Sequence, residues 1–345
     1  MTVAPPLLRV EDLVVEFPGP LRAADGVSFA IGEGETLGLV GESGCGKSVT
    51  GLALLRLVPE PGRIASGRIL FRGDDLMLLS ERRMCAVRGR SIAFVFQEPA
   101  AALNPVLSVG TQIAEGLVVH RLMKKKEAMA EAARLLALVR LPDAVRRVHD
   151  YPHQLSGGML QRVMIAIALA CRPALVIADE PTTALDVTIQ AEILALLRRL
   201  RDELGLSLLL ISHNLGVIAE MADRVAVMYA GRIVEEAGVQ ALYRDPAHPY
   251  TRGLLRSMPR PGSSAAPGPR ARRLPAIEGV VPDLAHLPPG CAFHPRCPEA
   301  MPECRETVPA IRPLGAPEGG RRVACFLHHD ARGTPRTRPA AEGVR

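Results

Sequence analysis

The chain has 345 residues, 48% of them hydrophobic, enough for one large domain or two ordinary ones. Aromatics are only 3% and Trp is absent, so the apolar mass is Leu, Val, Ile and Ala, which suits a buried parallel sheet covered by helices. The net charge is +6, but from Arg260 onward there are 13 Arg, no Lys and 8 acidic residues, so the first three quarters are nearly neutral and lack the basic face of a nucleic-acid binder.

The N-terminal stretch "MTVAPPLLRVEDLVVEF" lacks the basic region and apolar run of a signal peptide. No apolar run approaches the ~20 residues needed to cross a bilayer. A cytosolic chain with reduced thiols is the expectation. Residues 7–40 read as strand-rich, ending in the buried run "TLGLV", and a Gly-rich turn leads into the helix of "GESGCGKSVTGLALLRLV". Strands "GRILF" and "SIAFVF" follow, then a mostly helical stretch from about 100 to 170 that includes "RLMKKKEAMAEAARLLALVRL". Beyond it the pattern alternates: strand "ALVIAD", helix "TIQAEILALLRRLRDEL", strand "LSLLLIS", helix "NLGVIAEMA", strands "RVAVMYAG" and "RIVEEA". Such alternation implies an α/β fold with right-handed crossovers. Composition shifts near 246. The Pro-, Gly- and Ser-rich segment 259–289 reads as a linker or extended arm, and 331–345 as a disordered tail.

"GESGCGKS" at 41–48 fits G-x-x-x-x-G-K-[ST] between a strand and a helix. Gly41, Gly44 and Gly46 let the backbone curl so that its N–H groups face a β-phosphate, and the helix N-terminus adds partial positive charge. Lys47 is expected to bridge β- and γ-phosphates and Ser48 to coordinate Mg²⁺; Ser43, Cys45 and Val49 complete the nucleotide-binding stretch. In "LVIADE" an apolar strand ends in Asp179, a candidate Mg²⁺ ligand, and Glu180 follows as a carboxylate able to orient or deprotonate water.

"LSGGM" at 155–159, followed by "LQRVMIAIAL", offers a second anion-binding helix N-terminus. With these three motifs the chain resembles the ATP-binding subunit of an ABC transporter. The resemblance implies a P-loop cassette core over 1–245, with a mixed or parallel sheet, helices and a helical subdomain. It implies that Ser156, Gly157 and Gly158 close over ATP held by the other subunit of a dimer. It assigns Gln97 in "FVFQEP" to Mg²⁺ and the attacking water, Asp186 in "TTALD" to the dimer-interface loop, His213 in "LLLISHN" to the γ-phosphate, and Phe17 to adenine stacking. Two subunits would sandwich two ATP molecules while Glu180 and His213 set up in-line attack by water. Closure and reopening would drive transmembrane partners.

"LYRDPAHPYTRGLLRSMP" at 242–259, with "HPYT" at 248–251, resembles the branch that energises dipeptide and oligopeptide importers; nickel and some other solute importers share that tail. Taken alone "HPYT" reads as a loop with a Pro-set bend. The branch implies a second ATPase subunit, identical or related, two permease subunits, an extracytoplasmic solute-binding protein, and a peripheral place on the cytoplasmic face of the inner membrane. The resemblance covers about residues 7–328.

A small, irregular extension over 246–330 holds Cys291, Cys297, Cys304 and Cys325, spaced C-x5-C-x6-C-x20-C. Neither close interval fits the two-to-four-residue pairs usual for zinc. A four-iron cluster accepts wider loops, and some members of the resembled family carry a [4Fe–4S] cluster on such cysteines, so a cluster is the expectation, with zinc or bare thiols as alternatives. His294, His328 and His329 read as bystanders, and Cys45, Cys85 and Cys171 need no redox role. A rival reading is an ABC ATPase acting on nucleic acid or ribosomes, but such chains usually carry two cassettes or a coiled-coil insertion. A redox regulator built on the ATPase scaffold sits poorly with intact catalytic motifs.

Overall fold

The computed structural model describes residues 5–120, 123–183, 185–258, 277–315 and 320–336. Its strands in chain order are β1 (Leu8–Glu16), β2 (Arg22–Ile31), β3 (Thr36–Val40), β4 (Arg63–Phe71), β5 (Asp74–Asp75), β6 (Ile92–Val95), β7 (Leu175–Asp179), β8 (Ser207–Ser212), β9 (Arg224–Tyr229), β10 (Arg232–Gly238), β11 (Arg312–Pro313) and β12 (Arg322–Val323). One antiparallel sheet runs β2-β1-β4-β5. The other runs β11-β12-β10-β9-β3-β8-β7-β6, and its five strands from β9 to β6 are parallel.

The parallel strands read as unbroken apolar runs because both faces are covered. Every residue of β3, β7 and β8 is buried. Their side chains alternate between two cores: Leu37, Leu39 and Ile177 face the antiparallel sheet, while Val40, Val176 and Ala178 face the helices. The helices Pro99–Ala102, Val109–Val119, Lys125–Leu138, Ala144–Arg147 and Gly157–Leu169 fill the stretch 99–169. The helix Val187–Leu204 begins on an Asp186 cap, whose Oδ1 accepts the Ile189 N–H, and stops at Gly205 with φ +65°. Its helical apolar spacing emerges as one buried stripe of Ile193, Leu194, Leu196, Leu197 and Leu200.

One departure from the sequence reading has a local cause. β4 starts at Arg63, before "GRILF", because its exposed N-terminal half pairs with β1 and Arg63 bonds Glu16 at 2.6 Å across the strands. Cys171 falls just past the helix Gly157–Leu169 and donates to the Gly116 carbonyl (3.6 Å). Beyond residue 245 the chain packs back on the cassette. β12 pairs with the edge of β10, and Phe293 is buried in the core that lies against the helices. Of the expected tail, 331–336 close a turn onto Asp330, and Arg336 holds Glu303 at 2.8 Å. Residues 337–345, and 259–276 of the expected linker, lie outside the described residues.

Candidate functional site

The phosphate loop connects β3 to the helix Lys47–Leu54. Glycine is required there by space as well as by torsion. A Cβ on Gly41 would lie 2.2 Å from the Met228 carbonyl oxygen, and one on Gly46, at φ +102°, would lie 1.8 Å from that of Ala23. Lys47 is buried and its Nζ donates to the carbonyls of Gly41 (2.9 Å) and Glu42 (3.0 Å). Ser48 Oγ donates to Asp179 Oδ1 (3.0 Å), which places both expected Mg²⁺ ligands side by side. Cys45 is buried beneath the loop; burial pushes its thiol up against the opposing pull of Lys47. Ser43 and Gly44 are exposed and Val49 is half-buried against the core under the antiparallel sheet.

Asp179 ends β7, and Glu180 follows with φ +45°, a left-handed backbone that costs a non-Gly residue about 1–3 kcal/mol. Its N–H is held by the Ile211 carbonyl of β8 (2.9 Å). The turn brings three donors onto one carboxylate oxygen: Glu180 Oε2 accepts from Thr183 Oγ1 (2.8 Å), His213 Nδ1 (3.1 Å) and Gln97 Nε2 (3.2 Å). The structure therefore joins Gln97, Glu180 and His213, three residues far apart in the sequence, and adds Thr183. A polar residue three positions after Glu180 was the only signal for it. The two neighbouring carboxylates are driven apart in acidity. Burial raises Asp179 above the usual carboxylate value, against the Ser48 hydrogen bond. Burial pulls Glu180 upward too, but the bonds from His213 and Thr183 and the charge of Lys47 outweigh it, leaving Glu180 below its ordinary value.

Ser156 caps the helix Gly157–Leu169 in extended backbone, without a side-chain capping bond. A Cβ on Gly158 would meet Ile189 at 2.7 Å, and one on Gly157 would meet Leu185 at 3.6 Å, so Ser156, Gly157, Gly158 and Asp186 gather where two helices begin. Among the described residues no hydrogen bond links this group to the phosphate loop. Phe17 lies beside Gly62 and packs against the core under the antiparallel sheet.

The extension reaches the same loop, a connection the sequence did not reveal. "HPYT" is not a loop: His248 is the N-cap and Pro249 the first residue of the helix Pro249–Arg256. His248 Nδ1 accepts the Tyr250 N–H (3.0 Å), and Glu235 of β10 accepts the N–H groups of Ala247 (2.7 Å) and His248 (2.8 Å). The buried Tyr250 hydroxyl accepts the Glu42 N–H (2.9 Å), and Arg296 grips the Glu42 carboxylate through both oxygens (2.7 and 3.0 Å).

Cys291, Cys297, Cys304 and Cys325 are free thiols close enough for charge on one to raise others: burial pushes Cys297 to about 11 and Cys325 to about 12, and neighbouring cysteines add to both shifts. Among the described residues, however, no three His, Cys, Asp or Glu side chains are placed to hold a metal ion, so the expected cluster gains no support from a preformed ligand set. His328 Nε2 pairs with the Ala247 carbonyl (3.1 Å) and His294 Nδ1 with that of Cys291 (3.0 Å), as structural groups do.

Fold and site together define a P-loop ATPase of the cassette type. Residues 24–183 match the family model of the ABC transporter, and residues 234–304 match that of the oligopeptide/dipeptide transporter C-terminal region. A probable peptide ABC transporter ATP-binding protein of Sinorhizobium fredii is 50% identical over 94% of this chain and 96% of its own length. The oligopeptide transport ATP-binding protein AppD of Bacillus subtilis is 49% identical over 94% of this chain and 97% of its own. Among solved structures, the dimeric ATP-binding cassette MJ0796 bound to ADP and Pi superposes with a TM-score of 0.61 at 27% identity, covering 67% of this chain and 98% of that one. The chain belongs to the ABC transporter family, among its ATP-binding subunits, and is an ATPase.

Proposed function

We propose that this ATPase energises the uptake of di- and oligopeptides through a membrane importer. The observation that carries the reading is the joint match of 24–183 to the transporter cassette and of 234–304 to the oligopeptide/dipeptide C-terminal region in one chain. Among the described residues no helix is long and apolar enough to cross a membrane; in the proposed importer, partner subunits form the path for peptide. Two permeases, an extracytoplasmic solute-binding protein and a second ATPase, identical or related, complete the assembly on the cytoplasmic face of the membrane.

In the proposed cycle, ATP sits on Gly41, Ser43, Gly44, Cys45, Gly46, Lys47, Ser48 and Val49, with Phe17 against adenine. Ser48, Asp179 and Gln97 would hold Mg²⁺, which would supply positive charge against the phosphates. Glu180 accepts the proton of the attacking water, and His213 and Gln97 keep its carboxylate aimed. Ser156, Gly157 and Gly158 of the partner subunit close over the γ-phosphate, and Asp186 crosses the interface. The convergence of three donors on Glu180 Oε2 supports the choice of base. In the extension, Cys291, Cys297, Cys304 and Cys325 would be the ligands of a [4Fe–4S] cluster once brought together, since the described residues offer no preformed ion site. Iron and acid-labile sulfide in protein purified without oxygen, compared with Cys291→Ser and Cys325→Ser, test that assignment. No iron in the wild type refutes it and leaves the ATPase intact. The transport reading is tested in vesicles carrying the permeases and the solute-binding protein: peptides must stimulate ATP hydrolysis and accumulate. Failure of every peptide to do so refutes the peptide branch.

A further inference from the structure

Glu42, the second residue of "GESGCGKS", is held at both ends from the extension. Its N–H donates to the Tyr250 hydroxyl (2.9 Å), 208 positions away, and its carboxylate takes both arms of Arg296 (2.7 and 3.0 Å), 254 positions away. Its carbonyl accepts from Lys47 (3.0 Å), so the residue ties the extension to the lysine expected on the phosphates.

Both outside partners are themselves fixed. Arg296 is a 5% exposed side chain whose Nε donates to the Glu278 carbonyl (3.1 Å) and whose Nη1 reaches the Tyr229 hydroxyl (3.5 Å). Its guanidinium lies over the Tyr229 ring, 5.9 Å from the centroid. Tyr250 is fully buried and packs its ring on Tyr229 (4.6 Å) and Phe293 (5.4 Å).

The charges give this contact a chemical meaning. A phosphate loop works by presenting N–H groups and positive potential to a polyanion. A carboxylate within that loop opposes it, and the loop's lysine is one charge against several. A fork-to-fork Arg–carboxylate pair neutralises Glu42 and fixes where its oxygens lie. An anchor needed only for packing could be apolar; this one carries the charge that cancels the loop's own acid. We propose that Arg296, assisted by Tyr250, is a positioning residue for ATP: the extension neutralises Glu42 and holds the phosphate loop in its anion-binding shape.

The proposal rests on the ATP site assigned above, and the test separates the two. In the full-length chain, the equilibrium binding of Mg·ATP, KM, kcat and thermal melting are measured for wild type, Arg296→Met, Arg296→Met with Glu42→Gln, and Tyr250→Phe. Arg296→Met is expected to weaken ATP binding and raise KM on the order of ten-fold, with a smaller loss in kcat, and the defect shrinks at high salt. Adding Glu42→Gln is expected to recover most of the binding, because the uncompensated charge is gone. A purely structural role predicts lower melting with no such rescue. Folded Arg296→Met with unchanged ATP binding, or a double variant binding no better than the single one, overturns the proposal. Should Arg296→Met not fold, Arg296→Gln, which keeps a hydrogen-bond donor and removes the charge, reads the same comparison: weaker binding relieved by Glu42→Gln supports it, unchanged binding overturns it. Wild type that fails to bind ATP refutes the site assignment itself.

Discussion

His248 offers a pH test that isolates one side chain. The residue is 1% exposed, caps the helix Pro249–Arg256 through Nδ1, and has Arg252, His328 and the Phe293 ring around it. Burial, reinforced by the positive charges of Arg252 and His328, depresses its pKa from 6.5 to about 3. The bond from Tyr250 N–H also needs a neutral acceptor nitrogen. Between pH 6.5 and 3 the unfolded chain binds a proton that the folded chain refuses. The stability from a neutral His248 is therefore complete above pH 6.5 and falls as pH drops, by about 1.4 kcal/mol per unit. At pH 4.5 the loss is roughly 2.5 kcal/mol relative to pH 7.5. His248→Asn keeps an N-cap acceptor without a titrating ring. Lost ring packing lowers its stability by a similar amount at every pH, so the slope, not the offset, carries the information. Urea unfolding of both proteins at pH 7.5, 6.5, 5.5 and 4.5 should give a wild-type curve that falls toward the variant's as acid is added. Parallel curves would show that His248 is not buried neutral, and the account of the HPYT turn would fail.

Glu180→Gln should keep ATP binding within a few-fold while phosphate release falls by about 10²–10⁴, because the ionised acceptor is lost; a fully active variant would remove Glu180 as the base. Gly46→Ala puts a methyl 1.8 Å from the Ala23 carbonyl at φ +102°, so melting should fall sharply or nucleotide binding vanish, and a variant with wild-type melting and binding would contradict the loop geometry. Glu235→Ala strips the acceptor from two buried N–H groups, those of Ala247 and His248, and should cost about 2–5 kcal/mol in urea unfolding. A loss under about 0.5 kcal/mol would mean that water replaces the carboxylate there.

The legible parts of this protein are local. The phosphate loop is a strand, a tight turn and a helix within one stretch of sequence, and at Gly41 and Gly46 an added Cβ would lie within 2.2 Å of a carbonyl oxygen. Asp179 and Glu180 were visible as the end of an apolar run. That His213 would meet Glu180 depended on β8 lying beside β7, which the alternation of strands and helices suggests but does not fix in register. The grip on Glu42 was invisible for a different reason. A Tyr after a Pro and an Arg between two cysteines have no periodicity or spacing that points to a residue more than 200 positions earlier. The family resemblance implied a cluster that the cysteine spacing merely allowed, yet spacing constrains loop length and not the directions of the thiols, and the described residues offer no preformed ion site.

One turn of backbone explains how two adjacent acids can take different parts in the proposed chemistry. Had the strand continued past Asp179, Glu180 would have pointed to the opposite face of the sheet. The left-handed φ at Glu180 turns its carboxylate toward His213 at the end of β8, while Asp179 stays with Ser48 at the tip of β7. Their environments then separate them. Asp179 has one hydroxyl donor and a buried setting that resists bare charge, conditions under which a divalent cation is a favourable partner. Glu180 has three donors on one oxygen, which keeps it ionised, leaving its second oxygen to receive a proton from water. The reverse assignment would ask Asp179 to act as base from a position already committed to Ser48. The strain of about 1–3 kcal/mol at Glu180 would thus be the cost of splitting one acidic pair into the proposed metal ligand and the proposed base.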